Sequence, residues 1–156
     1  MPALIQGDRI VKWGDFESRS ARVAGALEAA GIQRGSSVAL YLYNCPEYFE
    51  VFFGAIKVRA VPANVNYRYT GSELRALLAN SQAQALFFDA SLSERVGSAV
   101  DGTGLRLLVQ VGGDTSAELV SPVTSYEELI GRADPAARMA RDSGDVFLSY
   151  TGGTTG

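Results

Sequence analysis

The chain contains no histidine. Histidine-based triads, imidazole general bases and histidine metal ligands are thereby excluded. Cys45 is the lone cysteine, so neither a disulfide framework nor a cysteine zinc site is available. A single thiol fits a reducing cytoplasm, and a cytoplasmic location is expected. No apolar run is long enough to span a bilayer, so no transmembrane segment is expected. The start of the chain lacks a charged stretch followed by an apolar core, so no signal peptide is expected. Neither sign of charge dominates: 14 Lys and Arg stand against 17 Asp and Glu, a net charge of −3. That balance gives no reason to expect nucleic-acid binding. The 156 residues suit one domain or part of a larger one.

What is present is an alternation of strand-like and helix-like segments. Ala3–Ile5 and Ile10–Val11, joined through Gly7-Asp8, read as a hairpin. Phe16, Val23, Leu27 and Ala30 recur at helical spacing, predicting a helix from about Trp13 to Ala30 stopped by Gly31. Ser37–Tyr43 is a nearly continuous apolar run, as expected of a strand covered on both faces. For the next helix, Asn44 reads as the cap, Pro46 as a first-turn residue and Glu47 as the third residue of a capping box. Phe49, Phe52, Phe53 and Ile56 form an i, i+3, i+4, i+7 stripe that predicts its buried face. Lys57 and Arg59 lie at its negative end. Val61–Ala63 reads as a short extended segment. Thr70 with Glu73 starts a helix that buries Leu74, Leu77 and Leu78. Ala85–Phe88 and Leu105–Val111 read as strands, with Ser91–Val100 helical between them. Thr124 with Glu127 reads as a third capping box, and Arg132–Gly144 as linker. Val146–Tyr150 is a last apolar strand. Such alternation predicts an α/β fold with a largely parallel sheet flanked by helices. Sheets of this kind hold ligands at the carboxyl ends of their strands.

The last strand runs directly into Thr151-Gly152-Gly153-Thr154-Thr155-Gly156. Glycines let a backbone turn its N–H groups onto an anion, and threonine hydroxyls add donors. These six residues are the candidate phosphate-binding site. A plain surface turn has the same composition. The loop is not a Walker P-loop, which needs Gly-Lys-Ser/Thr opening a helix, and it lacks the spacing of a dinucleotide fingerprint.

Tyr150–Gly156 resembles the phosphate motif of the adenylate-forming superfamily, Tyr/Phe-Thr-Ser-Gly-Ser/Thr-Thr-Gly followed by x-Pro-Lys. Gly152 stands at the usual serine. The superfamily includes acyl-CoA synthetases, luciferases and peptide-synthetase adenylation domains. Other stretches match in order. Ala3–Arg9 is similar to the family's opening hairpin. Gly31–Leu40 is similar to its G-(I/V)-x-(K/R)-G-D-x-V-A, with Ser36 for Asp. Asn44–Tyr48 is similar to N-x-P-E-(F/Y). Gly54–Val61 is similar to A-x-x-K-x-G-A-V, with Arg59 where glycine is common. Asn64–Tyr69 resembles a form found in bacterial long-chain and steroid-side-chain acyl-CoA ligases. The resemblance spans nearly the whole chain.

The resemblance implies the fold of the N-terminal portion of an AMP-binding domain over residues 1–156, with the C-terminal domain absent. It implies ATP, Mg²⁺ and coenzyme A as cofactors and a small carboxylic acid, an acyl chain or steroid side-chain acid, as substrate. The acid attacks the α-phosphate of ATP to give an acyl-adenylate and pyrophosphate, and coenzyme A then displaces AMP. Thr151, Thr154 and Thr155 would donate hydroxyl bonds to the β- and γ-phosphates. Gly152, Gly153 and Gly156 would let the backbone close on them. The family's acidic metal ligand, ribose aspartate and catalytic lysine follow this loop, so the chain alone is expected to be inert, and no catalytic residue is assigned within it. A non-catalytic phosphate-binding or interaction module is the alternative from another class. An acyl-AMP ligase or adenylation domain serving a carrier protein is the alternative within the superfamily. An unpaired last strand would expose an apolar edge, so self-association into a homo-oligomer is expected.

Other residues have plainer readings. Phe49, Phe52 and Phe53 read as core, not as an acyl tunnel. Cys45 reads as a passive small residue. Glu47, Glu73 and Glu127 read as helix starters, Trp13 as a packing residue, and Asn64–Tyr69 as a loop bonded to its neighbours.

Overall fold

Gly7 takes a left-handed φ of 56°, which closes the two-residue turn between β1 (Pro2–Gln6) and β2 (Arg9–Lys12). These two strands form an antiparallel hairpin separate from the main sheet. The computed structural model describes residues 1–114, 122–140 and 142–150. Helix α1 (Trp13–Ala29) follows the hairpin without a break. It ends where predicted: Ala30 caps it, Gly31 takes φ 75°, and Ile32 donates its N–H to the Leu27 carbonyl.

The main sheet has six strands, all neighbours parallel. They are β3 (Ser37–Tyr41), β4 (Val61–Asn64), β5 (Ala83–Asp89), β6 (Leu107–Val111), β7 (Thr124–Ser125) and β8 (Leu148–Ser149). Their spatial order is β7-β6-β5-β3-β4-β8. From β3 the chain steps outward to β4, then crosses back to β5 and continues outward through β6 and β7. This is the doubly wound pattern, with the switch between β3 and β5. The α/β expectation with a largely parallel sheet is thus met.

Period two divides the core. Val38 and Leu40 of β3, Phe87 of β5 and Val109 of β6 face a cluster with α1, α2 (Pro46–Lys57) and α5 (Tyr126–Arg132). Ala39, Tyr41, Leu86, Phe88 and Leu108 face α3 (Gly71–Ser81) and α4 (Ser93–Val100) on the other side. Every residue of β3 is buried, as a strand covered on both faces should be. The Thr70–Glu73 capping box is complete in both directions, and Leu74, Leu77 and Leu78 are buried as predicted. A short 3₁₀ turn, Ala90–Leu92, precedes α4, so the helix there begins two residues later than its sequence suggests.

Three expectations are corrected. The aromatic stripe of α2 is not its buried face. The buried residues are Pro46, Glu47, Glu50, Val51, Gly54 and Ala55, whereas Phe49 is exposed and Phe52, Phe53 and Ile56 lie half-buried at the rim. Close helix approach decides this. A Cβ on Gly54 would sit 2.6 Å from Val23 Cγ1, so the small face of α2 is the one that fits against α1. Second, Asn44 does not cap α2: Cys45 is the N-cap and makes no side-chain cap bond, while the Asn44 carbonyl accepts from Gln6 Nε2 at 3.0 Å. Third, the cap of α5 is Ser125, not Thr124: α5 starts at Tyr126, and the Ser125 Oγ accepts from Glu128 N at 3.2 Å. The last strand is also shorter than expected, for a reason that concerns the site.

Candidate functional site at the carboxyl edge of the sheet

Because the sheet is parallel, every strand delivers its following residues to one edge. After β3 come Tyr43 and Asn44. After β4 come Asn66, Tyr67 and Arg68. After β8 comes Tyr150. The Tyr43 and Tyr67 rings are 4.8 Å apart at a 46° tilt, and the Arg68 guanidinium rests 5.8 Å from the centre of the Tyr67 ring. The segment is held from below. Arg95 of α4 donates to the Tyr67 carbonyl at 2.9 Å, and the buried Tyr41 hydroxyl donates to the Tyr69 carbonyl at 2.5 Å. The Asn66 side chain accepts from Arg68 N at 3.0 Å. Asn64–Tyr69 is therefore a loop bonded to its neighbours, as its composition suggested. Beyond the switch point, Asp89 caps the 3₁₀ turn, and buried Gln110 donates to the Gly112 and Asp114 carbonyls at 3.1 Å each.

Thr151, Gly152, Gly153, Thr154, Thr155 and Gly156, the candidate site residues, lie outside the described residues. The strand that delivers them is described. β8 runs beside β4 through two residue pairs, Ala63 with Leu148 and Asn64 with Ser149. Val61 and Val65 donate their N–H groups to the carbonyls of Ser36 and Leu40, on the β3 side, at 2.8 and 3.0 Å. Period two therefore turns the N of Pro62 toward the β8 side, where it has no proton to give. Pairing with β8 starts only after that proline, which shortens the strand.

Both ends of β8 are tied by side chains. Arg59 takes a φ of 60°, the left-handed region that favours glycine, at the position where the resemblance expects glycine. Its Nε donates to Asp145 Oδ1 at 2.9 Å and its Nη2 meets Asp142 Oδ2 at 2.8 Å. The paired Asp145 and Asp142 raise the Arg59 pKa above its ordinary value. Gly144 N and then Arg59 hold the Asp142 carboxyl below the usual range. Beyond the strand, the Tyr150 hydroxyl donates to Asn80 Oδ1 of α3 at 2.9 Å. Neither clasp was foreseen in the sequence; the departure from glycine at Arg59 was the available signal.

The acidic residues of α2 have structural partners. Glu47 pairs with Arg9 of the hairpin at 2.7 Å. Burial alone would raise its pKa, but the bond from Arg9, its own backbone N–H and the Arg9 charge together hold it below the usual value. Glu50 is fully buried and accepts from Arg19 Nε on both oxygens at 2.9 Å and from the Tyr126 hydroxyl at 2.8 Å. Burial, followed by the Glu50 charge, pushes the Tyr126 phenol well above its ordinary pKa. Glu127 closes the group on the outside, 2.7 Å from Arg19 Nη2. Burial pushes the Cys45 thiol up to about 11, which agrees with a passive role. Among the described residues no group of three or more acidic, cysteine or histidine side chains could hold a metal ion, and no helix is long and apolar enough to cross a membrane.

Comparisons with known proteins agree with this arrangement. The chain is 35% identical over 170 residues to a medium-chain acyl-CoA ligase of Mycobacterium avium, an alignment covering 98% of this chain and 30% of that protein. It is 32% identical over 158 residues to a 3-oxocholest-4-en-26-oate–CoA ligase of Rhodococcus rhodochrous, covering 99% of this chain and 28% of that protein. The chain thus spans less than a third of the length of these relatives. Among solved structures, a benzoate CoA ligase from Burkholderia xenovorans aligns with a TM-score of 0.78 at 26% identity, over 92% of this chain and 27% of that one. An anthranilate CoA ligase in complex with anthranoyl-AMP shares the fold, with a TM-score of 0.84 at 22% identity over 100% of this chain and 30% of that one. The family model described as AMP-binding enzyme matches residues 1–156, and the chain belongs to that family.

Proposed function

We propose that this chain supplies the polyphosphate-binding edge of an ATP-dependent acid–CoA ligase acting on a medium- or long-chain fatty acid or a steroid side-chain acid. One observation carries the reading: β8 adds in parallel beside β4, so Thr151–Gly156 follows a strand whose carboxyl end lies at the ligand-binding edge of a doubly wound sheet. In the reaction a carboxylate oxygen attacks the α-phosphorus of ATP and pyrophosphate leaves. The thiol of coenzyme A then attacks the acyl carbon, and AMP leaves with the electron pair of the broken C–O bond.

Within this reading Thr151, Thr154 and Thr155 donate hydroxyl hydrogen bonds to the β- and γ-phosphates. Gly152, Gly153 and Gly156 bring backbone N–H groups to the same oxygens. Donors held in place before the reaction stabilise the charge that builds on departing pyrophosphate. The described residues provide no acidic cluster suited to Mg²⁺, so no step is assigned to the ion here. The names of the relatives support the acyl substrate. A cytoplasmic location belongs to the same reading and rests on the lone thiol. So does self-association, supported by the exposure of Val146, Phe147 and Leu148 at the sheet edge. A monodisperse monomer by light scattering at high concentration would count against the latter.

The test is isothermal titration of the 156-residue chain with pyrophosphate, ATP and adenosine. Pyrophosphate and ATP should bind and adenosine should not, and Gly153→Val with Thr154→Ala should abolish binding. Equal binding of adenosine and pyrophosphate, or no effect of the double variant, refutes the assignment.

A further inference from the structure

The ladder that carries the candidate loop is too short to hold itself. β8 shares two residue pairs with β4, and Pro62 denies it another hydrogen bond. Its one apolar side chain, Leu148, is 36% exposed and contributes little. Such an edge is expected to fray. Beside it Phe147 meets the Phe52 ring at 5.9 Å and Tyr150 packs against the core, and polar contacts tie both ends. Before the strand, Gly144 N donates to Asp142 Oδ1 at 2.8 Å and Asp145 N to the Asp142 carbonyl at 3.1 Å, forming a tight turn. Arg59 grips both carboxylates of that turn, and does so from a backbone conformation that disfavours any residue with a Cβ. After the strand, Tyr150 is the last residue before the loop, and its hydroxyl is held by Asn80.

We propose that Arg59, acting through Asp142 and Asp145, and Asn80, acting through Tyr150, are positioning residues that set β8 and so fix the point from which Thr151–Gly156 leaves the sheet. The inference rests on the reading of that loop as a polyphosphate site. Neither residue touches the reacting atoms. Asn80 is exposed on α3, where alanine suits a helix at least as well as asparagine, so its removal leaves the fold intact. A residue that merely stabilised the fold would change the melting temperature. A positioning residue changes the strand and its ligand and leaves the melting temperature alone.

The experiment uses the full 156-residue chain with Asn80→Ala, Tyr150→Phe, the two combined, and Arg59→Gly, which keeps the backbone turn and removes the guanidinium. Hydrogen exchange is followed by mass spectrometry, and pyrophosphate affinity by calorimetry. Asn80→Ala and Tyr150→Phe should each raise exchange over residues 148–150 and leave residues 71–79 unchanged. Each should weaken pyrophosphate binding about 3- to 10-fold, the range of one lost hydrogen bond. The double variant should lose no more than either single one. Arg59→Gly should raise exchange over residues 142–149. Unchanged exchange around β8, or additive losses in the double variant, overturns the proposal whatever the loop binds. Raised exchange in a chain whose wild type takes up no pyrophosphate would leave the two clasps standing and refute the polyphosphate reading instead.

Discussion

Arg19 and Glu50 form an ion pair whose two halves should not be equally costly to remove. Glu50 is fully buried, and beyond Arg19 its partner is the neutral Tyr126 hydroxyl. Arg19 is 25% exposed, stacks 5.4 Å from the Tyr126 ring centre, and keeps a second carboxylate in Glu127. Replacing Arg19 by methionine therefore strands a charge in the core, which costs roughly 3–5 kcal/mol. Replacing Glu50 by glutamine keeps the shape and a bond to Tyr126 and leaves Arg19 paired with Glu127. The loss is then the difference between charged and neutral hydrogen bonds, about 1–2 kcal/mol. At this chain length those costs correspond to roughly 6–20 °C and roughly 2–8 °C in melting temperature. Urea unfolding of both variants at pH 7 measures the difference. If Glu50→Gln proves as damaging as Arg19→Met, the pair is not governed by burial and the argument fails.

Other perturbations have equally definite outcomes. Glu47 is held below its ordinary pKa by Arg9, so its contribution is present above about pH 4.5 and lost as the pH falls; exchange protection in residues 2–12, corrected for the intrinsic rate at each pH, should fall from pH 6 to pH 3.5, and unchanged protection would refute the pairing. Gly25→Ala should destabilise by about 1–3 kcal/mol despite its better helix propensity, because the new Cβ meets the backbone carbonyl of Asp134; calorimetry showing a gain would mean the 133–137 segment is not seated on α1. Thr70→Ala should cost about 1 kcal/mol in denaturant unfolding, and Asn44→Ala close to nothing, since only the first side chain caps a helix. The Cys45 thiol, pushed up to about 11, should react with a disulfide reagent at pH 8 far more slowly than free cysteine, and equal rates would place it in solvent.

Much of this molecule is legible in its residues. The hairpin, the end of α1 at Gly31, the wholly buried β3 and the Thr70 box all follow from local chemistry that tertiary contacts reinforce. Helix α2 shows where that legibility stops. Two stripes on it satisfy the same helical period, one aromatic and one small with two glutamates. Hydrophobicity favours the aromatic one. The structure buries the other, because its glutamates are neutralised by Arg9 and Arg19, which lie far off in sequence on β2 and α1. Ser125 displaces Thr124 as a cap because the β7 ladder carries the extended chain through Ser125, so the first helical turn begins only at Tyr126. The motif of the candidate loop was readable letter by letter. The supports of its strand were not, since Arg59 with Asp145 and Asn80 with Tyr150 are pairs that only the folded sheet brings together.

The placement of β7 and β8 on opposite edges has a consequence for the order of assembly. The chain leaves α5 and must cross the width of the sheet, about 4.8 Å per strand, before β8 can form. On the way the segment is pinned to α1, with the Ala133 carbonyl accepting from Arg22 at 2.7 Å and Ala136 N donating to Ala21 at 2.9 Å. All its partners, β4, Arg59 and Asn80, precede it in synthesis and belong to elements able to pack without it. Closing so long a loop for two ladder pairs is entropically late. Late closure means that β8 is expected to dock onto a sheet already built. Opening of that edge with the other five strands folded would scale any affinity measured there by the docking equilibrium.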